Sequence, residues 1–126
     1  MIAGTMSGSV LVVDDDPAFR RLARRLLAAF GLAVAGEAGT AEAGLAAADE
    51  LRPDAVLVDV GLPDRDGVDL ARELSALPWR PRVVLTSSDA EAATATDVHA
   101  SGALAFVPKV QLPNAALGEL LGGPTL

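Results

Sequence analysis

The 126-residue chain is 51% apolar and carries a net charge of −7, with 17 acidic residues against 10 basic ones. That describes one ordinary domain with enough apolar material for a core. The acidic balance argues against direct nucleic-acid binding or adhesion to an anionic membrane, since both draw on clustered lysine and arginine. With no cysteine, disulfides and thiolate metal sites are excluded.

No apolar stretch approaches the roughly 20 residues of a membrane helix, and Met1 to Ser9 lacks the basic and apolar regions of a secretory leader. The chain is therefore expected to be soluble and cytoplasmic. Residues 1–8 read as a flexible N-terminal tail in which Met6 is an alternative start to Met1, residues 9–121 as the domain, and residues 122–126 as a C-terminal tail or the start of a linker.

Ser9 to Val13 is predicted as the first strand, apolar and largely β-branched, and it runs directly into Asp14, Asp15 and Asp16. Two readings of these carboxylates stand side by side. Asp16 can cap a helix that has Pro17 at its first position, with Asp14 and Asp15 simply solvated. Alternatively, acids that would otherwise repel one another share a hard cation such as Mg2+.

Phe19, Leu22, Ala23, Leu26, Leu27 and Phe30 then repeat at helical spacing up to Gly31. The opposite face carries Arg20, Arg21, Arg24 and Arg25, either a solvated face or a docking surface for an acidic partner.

Ala33 to Ala38 is a weak second strand. Thr40 to Leu51 is an alanine-rich helix capped by Thr40 and ended before Pro53. Ala55 to Val58 forms a third strand that ends at Asp59, and Gly61 to Gly67 is turn chemistry. Leu70, Ala71, Leu74 and Leu77 mark a third helix.

Trp79, in the connector Pro78 to Pro81, is read as a half-exposed lid over a core edge. Arg82 to Leu85 is the fourth strand, followed by Thr86, Ser87 and Ser88. Asp89 to Ser101 fits a capped helix closed by Gly102. Val98 is its only apolar residue larger than alanine, so it should be weakly held. His99 is read as a surface residue. Leu104 to Val107 is the fifth strand, followed by Pro108 and Lys109, and Pro113 to Leu121 is a last short helix with Leu117, Leu120 and Leu121 inward.

Alternating strands and helices imply an α/β fold with a parallel sheet and helices on both faces. Ligands bind such sheets beyond the C-terminal strand ends, at a switch point in strand order. At those ends stand Asp14, Asp15, Asp59, Thr86 and Lys109. Carboxylates, a hydroxyl and an ammonium in one pocket suit phosphoryl transfer, with a carboxylate as nucleophile and cations neutralising the phosphoryl oxygens. Asp59 is the best-placed nucleophile, Asp14 and Asp15 suit the metal, Thr86 can bond a phosphoryl oxygen, and Lys109 can pair with Asp59 and then with the phosphoryl group.

These motifs resemble the receiver domain of bacterial two-component response regulators, of the chemotaxis-receiver type, over residues 9 to 121. The matching segments are Val12 to Pro17, Arg52-Pro53-Asp54 with Asp59, Leu62-Pro63 with Asp66-Gly67, Leu85 to Ser88, and Gly102-Ala103 with Phe106 and Lys109. The resemblance implies a flavodoxin-like doubly wound (βα)5 fold with strand order 2-1-3-4-5. It implies that Asp59 accepts a phosphoryl group from a sensor histidine kinase or phosphotransfer protein in a Mg2+-dependent phosphorelay. Asp15, Asp59 and the Gly61 backbone carbonyl would ligate Mg2+ directly, Asp14 through water, and Mn2+ could substitute.

In the family, the residue corresponding to Thr86 moves onto the phosphoryl group and the one corresponding to Phe106 turns inward, rearranging the face around helix 4, strand 5 and helix 5. An active-state homodimer through helices 4 and 5 is likewise implied by the resemblance alone. The domain would be a phospho-accepting signalling module, its own chemistry limited to self-phosphorylation and autodephosphorylation, with no nucleic-acid or membrane contact of its own.

Two positions depart from the common pattern. Val110 follows Lys109 where many relatives have a cis proline, so a trans bond and an altered loop are expected. Phe106 stands where tyrosine is commoner and cannot donate a hydrogen bond.

Two rivals fit less well. A Mg2+-dependent aspartyl phosphatase needs a second acid two residues beyond its nucleophile, where Gly61 stands. A flavin-binding flavodoxin needs a phosphate loop after the first strand, where three aspartates would repel phosphate. Residues 110 to 126 are too few for a DNA-binding domain, which leaves a stand-alone receiver or a fragment of a longer regulator with an output domain.

Overall fold

The computed structural model describes residues 8–114 and 116–122; most of the expected tails at 1–8 and 122–126 lies outside the described residues. Five strands, β1 (Ser9–Val13), β2 (Ala33–Ala38), β3 (Ala55–Asp59), β4 (Arg82–Ser87) and β5 (Ala105–Pro108), form one sheet in the order β2-β1-β3-β4-β5, with every pair parallel. Five helices alternate with them: α1 (Pro17–Ala29), α2 (Ala41–Leu51), α3 (Gly67–Ser75), α4 (Ala95–Ser101) and α5 (Leu117–Gly122). This is the flavodoxin-like arrangement expected from the sequence. Among the described residues no helix is long and apolar enough to cross a membrane.

Each buried strand feeds two cores, because successive side chains point to opposite faces. Leu11, Val13, Val56, Val58, Val83 and Leu85 meet Leu70, Ala71 and Leu74 of α3 on one face. Val10, Val12, Ala55, Leu57 and Val84 meet Phe19, Ala23 and Leu27 of α1 and Leu117 and Leu121 of α5 on the other. The near-continuous apolar runs of β1 and β3 are thus the signature of strands covered on both sides.

The helix starts are set by capping. Asp16 accepts from the Ala18 N–H, Thr40 from Ala43 and Asp66 from Val68, each tying down a donor that has no partner within its helix.

Three expectations are corrected. The predicted helix from Asp89 to Ser101 begins only at Ala95. Asp89 accepts from Glu91 in a local turn, and a reciprocal capping box between Thr94 and Asp97 starts the helix instead. The predicted helix from Pro113 to Leu121 is split: a 3-10 segment, Lys109–Asn114, takes up Pro113, and α5 begins at Leu117. Leu22, placed on the inward face of α1, is 54% exposed, because Phe19, Ala23 and Leu27 fill that side. Of α5, Leu117 and Leu121 are buried and Leu120 is half-buried.

His99 is exposed and Trp79 half-exposed, as expected. Trp79 Nε1 donates to the Pro53 carbonyl at 2.9 Å, and the Arg52 guanidinium lies over its ring. The described residues contain no cis peptide, so the Lys109–Val110 bond is trans as expected.

Candidate functional site

Parallel pairing brings the ends of β1, β3, β4 and β5 to one edge, and their terminal side chains meet there. Asp14, Asp15 and Asp59 each offer a carboxylate oxygen within 4.8 Å of the others. Asp14 and Asp59 are buried, whereas Asp15 is exposed. The Lys109 ammonium, at the end of β5, lies 2.7 Å from Asp14 Oδ2 and 4.0 Å from Asp59 Oδ2. The lysine thus pairs first with Asp14, whereas the sequence alone pairs it with Asp59. Asp14 Oδ2 is fully buried, and the Lys109 ammonium is its counter-charge.

Asp14 Oδ1 accepts from the Asp16 N–H at 2.9 Å, and Asp59 Oδ1 accepts a long bond from Gly61 N–H at 3.3 Å. Burial, and next the Asp14 charge, push the Asp59 carboxyl above the usual carboxylate range, against the pull of Lys109 and the Gly61 N–H.

The donor set suits a hard divalent cation. Three carboxylates gather their oxygens at one point, two of them buried where their mutual repulsion is poorly screened, and a hard cation such as Mg2+ relieves that conflict. Thr86, fully buried at the end of β4, donates from Oγ1 to the Val107 carbonyl at 2.6 Å. Phe106 is half-buried and lines an open groove of about 440 Å³ with Val98, His99, Ala103 and Leu104.

Several supporting residues escape a reading of the sequence. Gly67 packs against the backbone of the Asp59 segment: a Cβ there would stand 2.2 Å from the Asp59 carbonyl oxygen. Asp64, in the loop after β3, accepts from the N–H groups of Ala41 and Glu42 at 2.8 and 3.0 Å, so this loop caps the start of α2. Those bonds hold the Asp64 carboxyl below the usual range.

Arg20 donates to the Asp14 carbonyl at 2.7 Å and also pairs with Glu37 on β2 at 3.0 Å, and Arg24 reaches the same carboxylate at 2.8 Å. Two of the four arginines are therefore internal ties, while Arg21 and Arg25 are exposed. Only turn-forming residues mark Asp64 in the sequence, and nothing local marks the partners of Gly67 or Arg20.

The family model described as the response regulator receiver domain matches residues 10–119. The chain belongs to that family. A protein-glutamate methylesterase/protein-glutamine glutaminase of Hahella chejuensis is 36% identical over 107 residues, 83% of this chain and 31% of that protein. The response regulator MprA of Mycobacterium bovis is 38% identical over 105 residues, 82% of this chain and 45% of that one. A LuxR-family two-component response regulator from Aurantimonas superposes with a TM-score of 0.83 at 28% identity, covering 94% of this receiver and 88% of that chain. The receiver thus spans about a third to a half of the length of these curated relatives.

Proposed function

We propose that this receiver accepts a phosphoryl group on Asp59 from the phosphohistidine of a sensor histidine kinase or phosphotransfer protein. The observation that carries this reading is the meeting of Asp14, Asp15, Asp59 and Lys109 at one sheet edge. Asp15, Asp59 and the Gly61 carbonyl would hold Mg2+, with Asp14 acting through water and Mn2+ able to substitute. The bound cation supplies charge neutralisation at the phosphoryl oxygens.

An Asp59 carboxylate oxygen attacks phosphorus. The new O–P bond forms as the donor's N–P bond breaks, and the leaving imidazole nitrogen keeps that electron pair. Lys109, already within 4.0 Å of Asp59, shifts its charge onto the incoming phosphoryl group.

Readout runs through Thr86. Its hydroxyl now donates to Val107 on β5. Turning it to a phosphoryl oxygen releases that carbonyl beside Phe106 and loosens the face built from α4, β5 and α5. That face would contact an output domain or protein partner, or a second receiver as a homodimer. On this reading the domain is a phospho-accepting switch rather than an enzyme acting on outside substrates, and makes no nucleic-acid contact of its own.

The test is intact mass after incubation with acetyl phosphate, with and without Mg2+, on wild type and Asp59→Asn. One phosphoryl group gained only with Mg2+ and only by wild type is the expected result. No gain by a folded wild type overturns the reading.

A further inference from the structure

We infer that Phe19 is a positioning residue of this site, the seat on which the Lys109 ammonium rests and pivots. The inference rests on the phosphoryl-acceptor reading above. Lys109 Nζ lies 4.1 Å from the centroid of the Phe19 ring, while the same nitrogen is 2.7 Å from Asp14 Oδ2 and 4.0 Å from Asp59 Oδ2.

The ring is delivered there by the start of α1. Asp16 caps the helix, Pro17 opens it, and Phe19 lies within the first turn. The ring also packs into the core with Val10, Val12, Ala23 and Leu27 and is only 8% exposed. Its placement is therefore set by the core, while the face it turns to Lys109 borders the acid cluster.

An aromatic face attracts a cation through its quadrupole and uses none of the cation's hydrogen-bond geometry. The ring can therefore hold the ammonium while leaving its donors to the carboxylates. The ammonium already stands nearer Asp14, at 2.7 Å, than Asp59, at 4.0 Å, and the ring beneath it holds it where both carboxylates stay in reach. A lysine that must follow charge from Asp14 to a phosphoryl group on Asp59 benefits from a support that stays constant along the way.

Lys109 is the only lysine in the sequence, so isotope-labelled lysine gives a single side-chain signal. In wild type its Hε protons should lie upfield of free lysine through the ring current of Phe19. The shift should persist in Phe19→Tyr and vanish in Phe19→Leu. In parallel, phosphoryl uptake from acetyl phosphate at saturating Mg2+ is measured with Phe19 replaced by phenylalanines of increasing ring fluorination, which weaken the quadrupole at nearly constant shape.

Uptake should slow stepwise, about three- to tenfold across the series, in line with a partly desolvated cation–π contact. The melting temperature should stay nearly constant. A wild-type Lys109 signal at the free-lysine position overturns the inference. So does a flat rate across the series in proteins whose signal is shifted. If wild type takes up no phosphoryl group at all, the phosphoryl-acceptor reading falls, and the lysine signal alone then decides whether Phe19 seats the ammonium.

Discussion

The two flanks of the sheet are built differently. Over the central strands β1, β3 and β4, α1 buries Phe19, Ala23 and Leu27 on one face and α3 buries Gly67, Leu70, Ala71 and Leu74 on the other. At the β5 edge, α4 has seven residues and buries only Ser101, while Leu104 beside it is 51% exposed along an open groove. The acids sit on the tightly held flank and the groove on the loosely held one. On the proposed reading, the aspartates that need fixed geometry are set apart from a surface whose rearrangement costs little, and Lys109 reaches them from the end of β5. Thr86 links the two, standing at the end of β4 and bonded to β5.

The contrast can be broken most severely at Gly67. Gly67→Ala should cost at least about 3 kcal/mol or prevent folding, because the new methyl would run into backbone that cannot swing aside. A loss below about 1 kcal/mol in urea unfolding would show that the α3 contact is slack.

A paired truncation sharpens the same point. Leu74→Ala, fully buried in α3, should cost about 2–5 kcal/mol, whereas Val98→Ala, half-buried in α4, should cost about 1 kcal/mol or less. Equal losses would erase the difference between the flanks.

Asp59→Asn should have the opposite sign. Burial and the Asp14 charge hold this carboxyl above its ordinary range, so its ionised form costs stability at neutral pH. In the presence of a chelator the variant should melt about 2–5 °C higher than wild type. That gap should close as pH falls through the titration of Asp59, where both side chains become neutral.

The smallest effect belongs to Glu37, whose carboxyl is held below the usual range first by Arg24 and also by Arg20. Its contribution is present above the unfolded carboxylate range and lost as pH falls through the lowered folded value. Because the pair is largely solvated, Glu37→Gln should cost well under about 1 kcal/mol, and less in high salt.

Much of this was legible in the sequence, for a physical reason. Strands buried on both faces announce themselves as apolar runs, and the polar residue that ends each run must stand at the sheet edge. Asp14, Asp59, Thr86 and Lys109 could therefore be gathered from linear order. The misses share a different cause. Asp89 and Thr94 both offer a helix cap, and only the reciprocal bond from Asp97 lets Thr94 prevail. Pro113 looked like a helix opening because proline fits a first turn, yet it also fits the 3-10 segment that displaced it. Arg20, on α1, looks solvated in the sequence because its partner Glu37 lies on the next strand, β2, and Asp64 looks like a turn residue because the helix it caps precedes it in the chain. Pairings set by register and crossover leave no local mark.

Trp79 sits in the connector before β4, where its indole is tied to the Pro53 carbonyl before β3. Both points are at the entry ends of the strands, so the whole sheet, roughly 15–20 Å at five to six residues per strand, separates them from the acid cluster. The chain has no tyrosine, and this is its only tryptophan. Intrinsic fluorescence should therefore report unfolding cleanly while staying almost dark to events among the aspartates. A reporter for cation binding would have to be placed at the other end of the molecule.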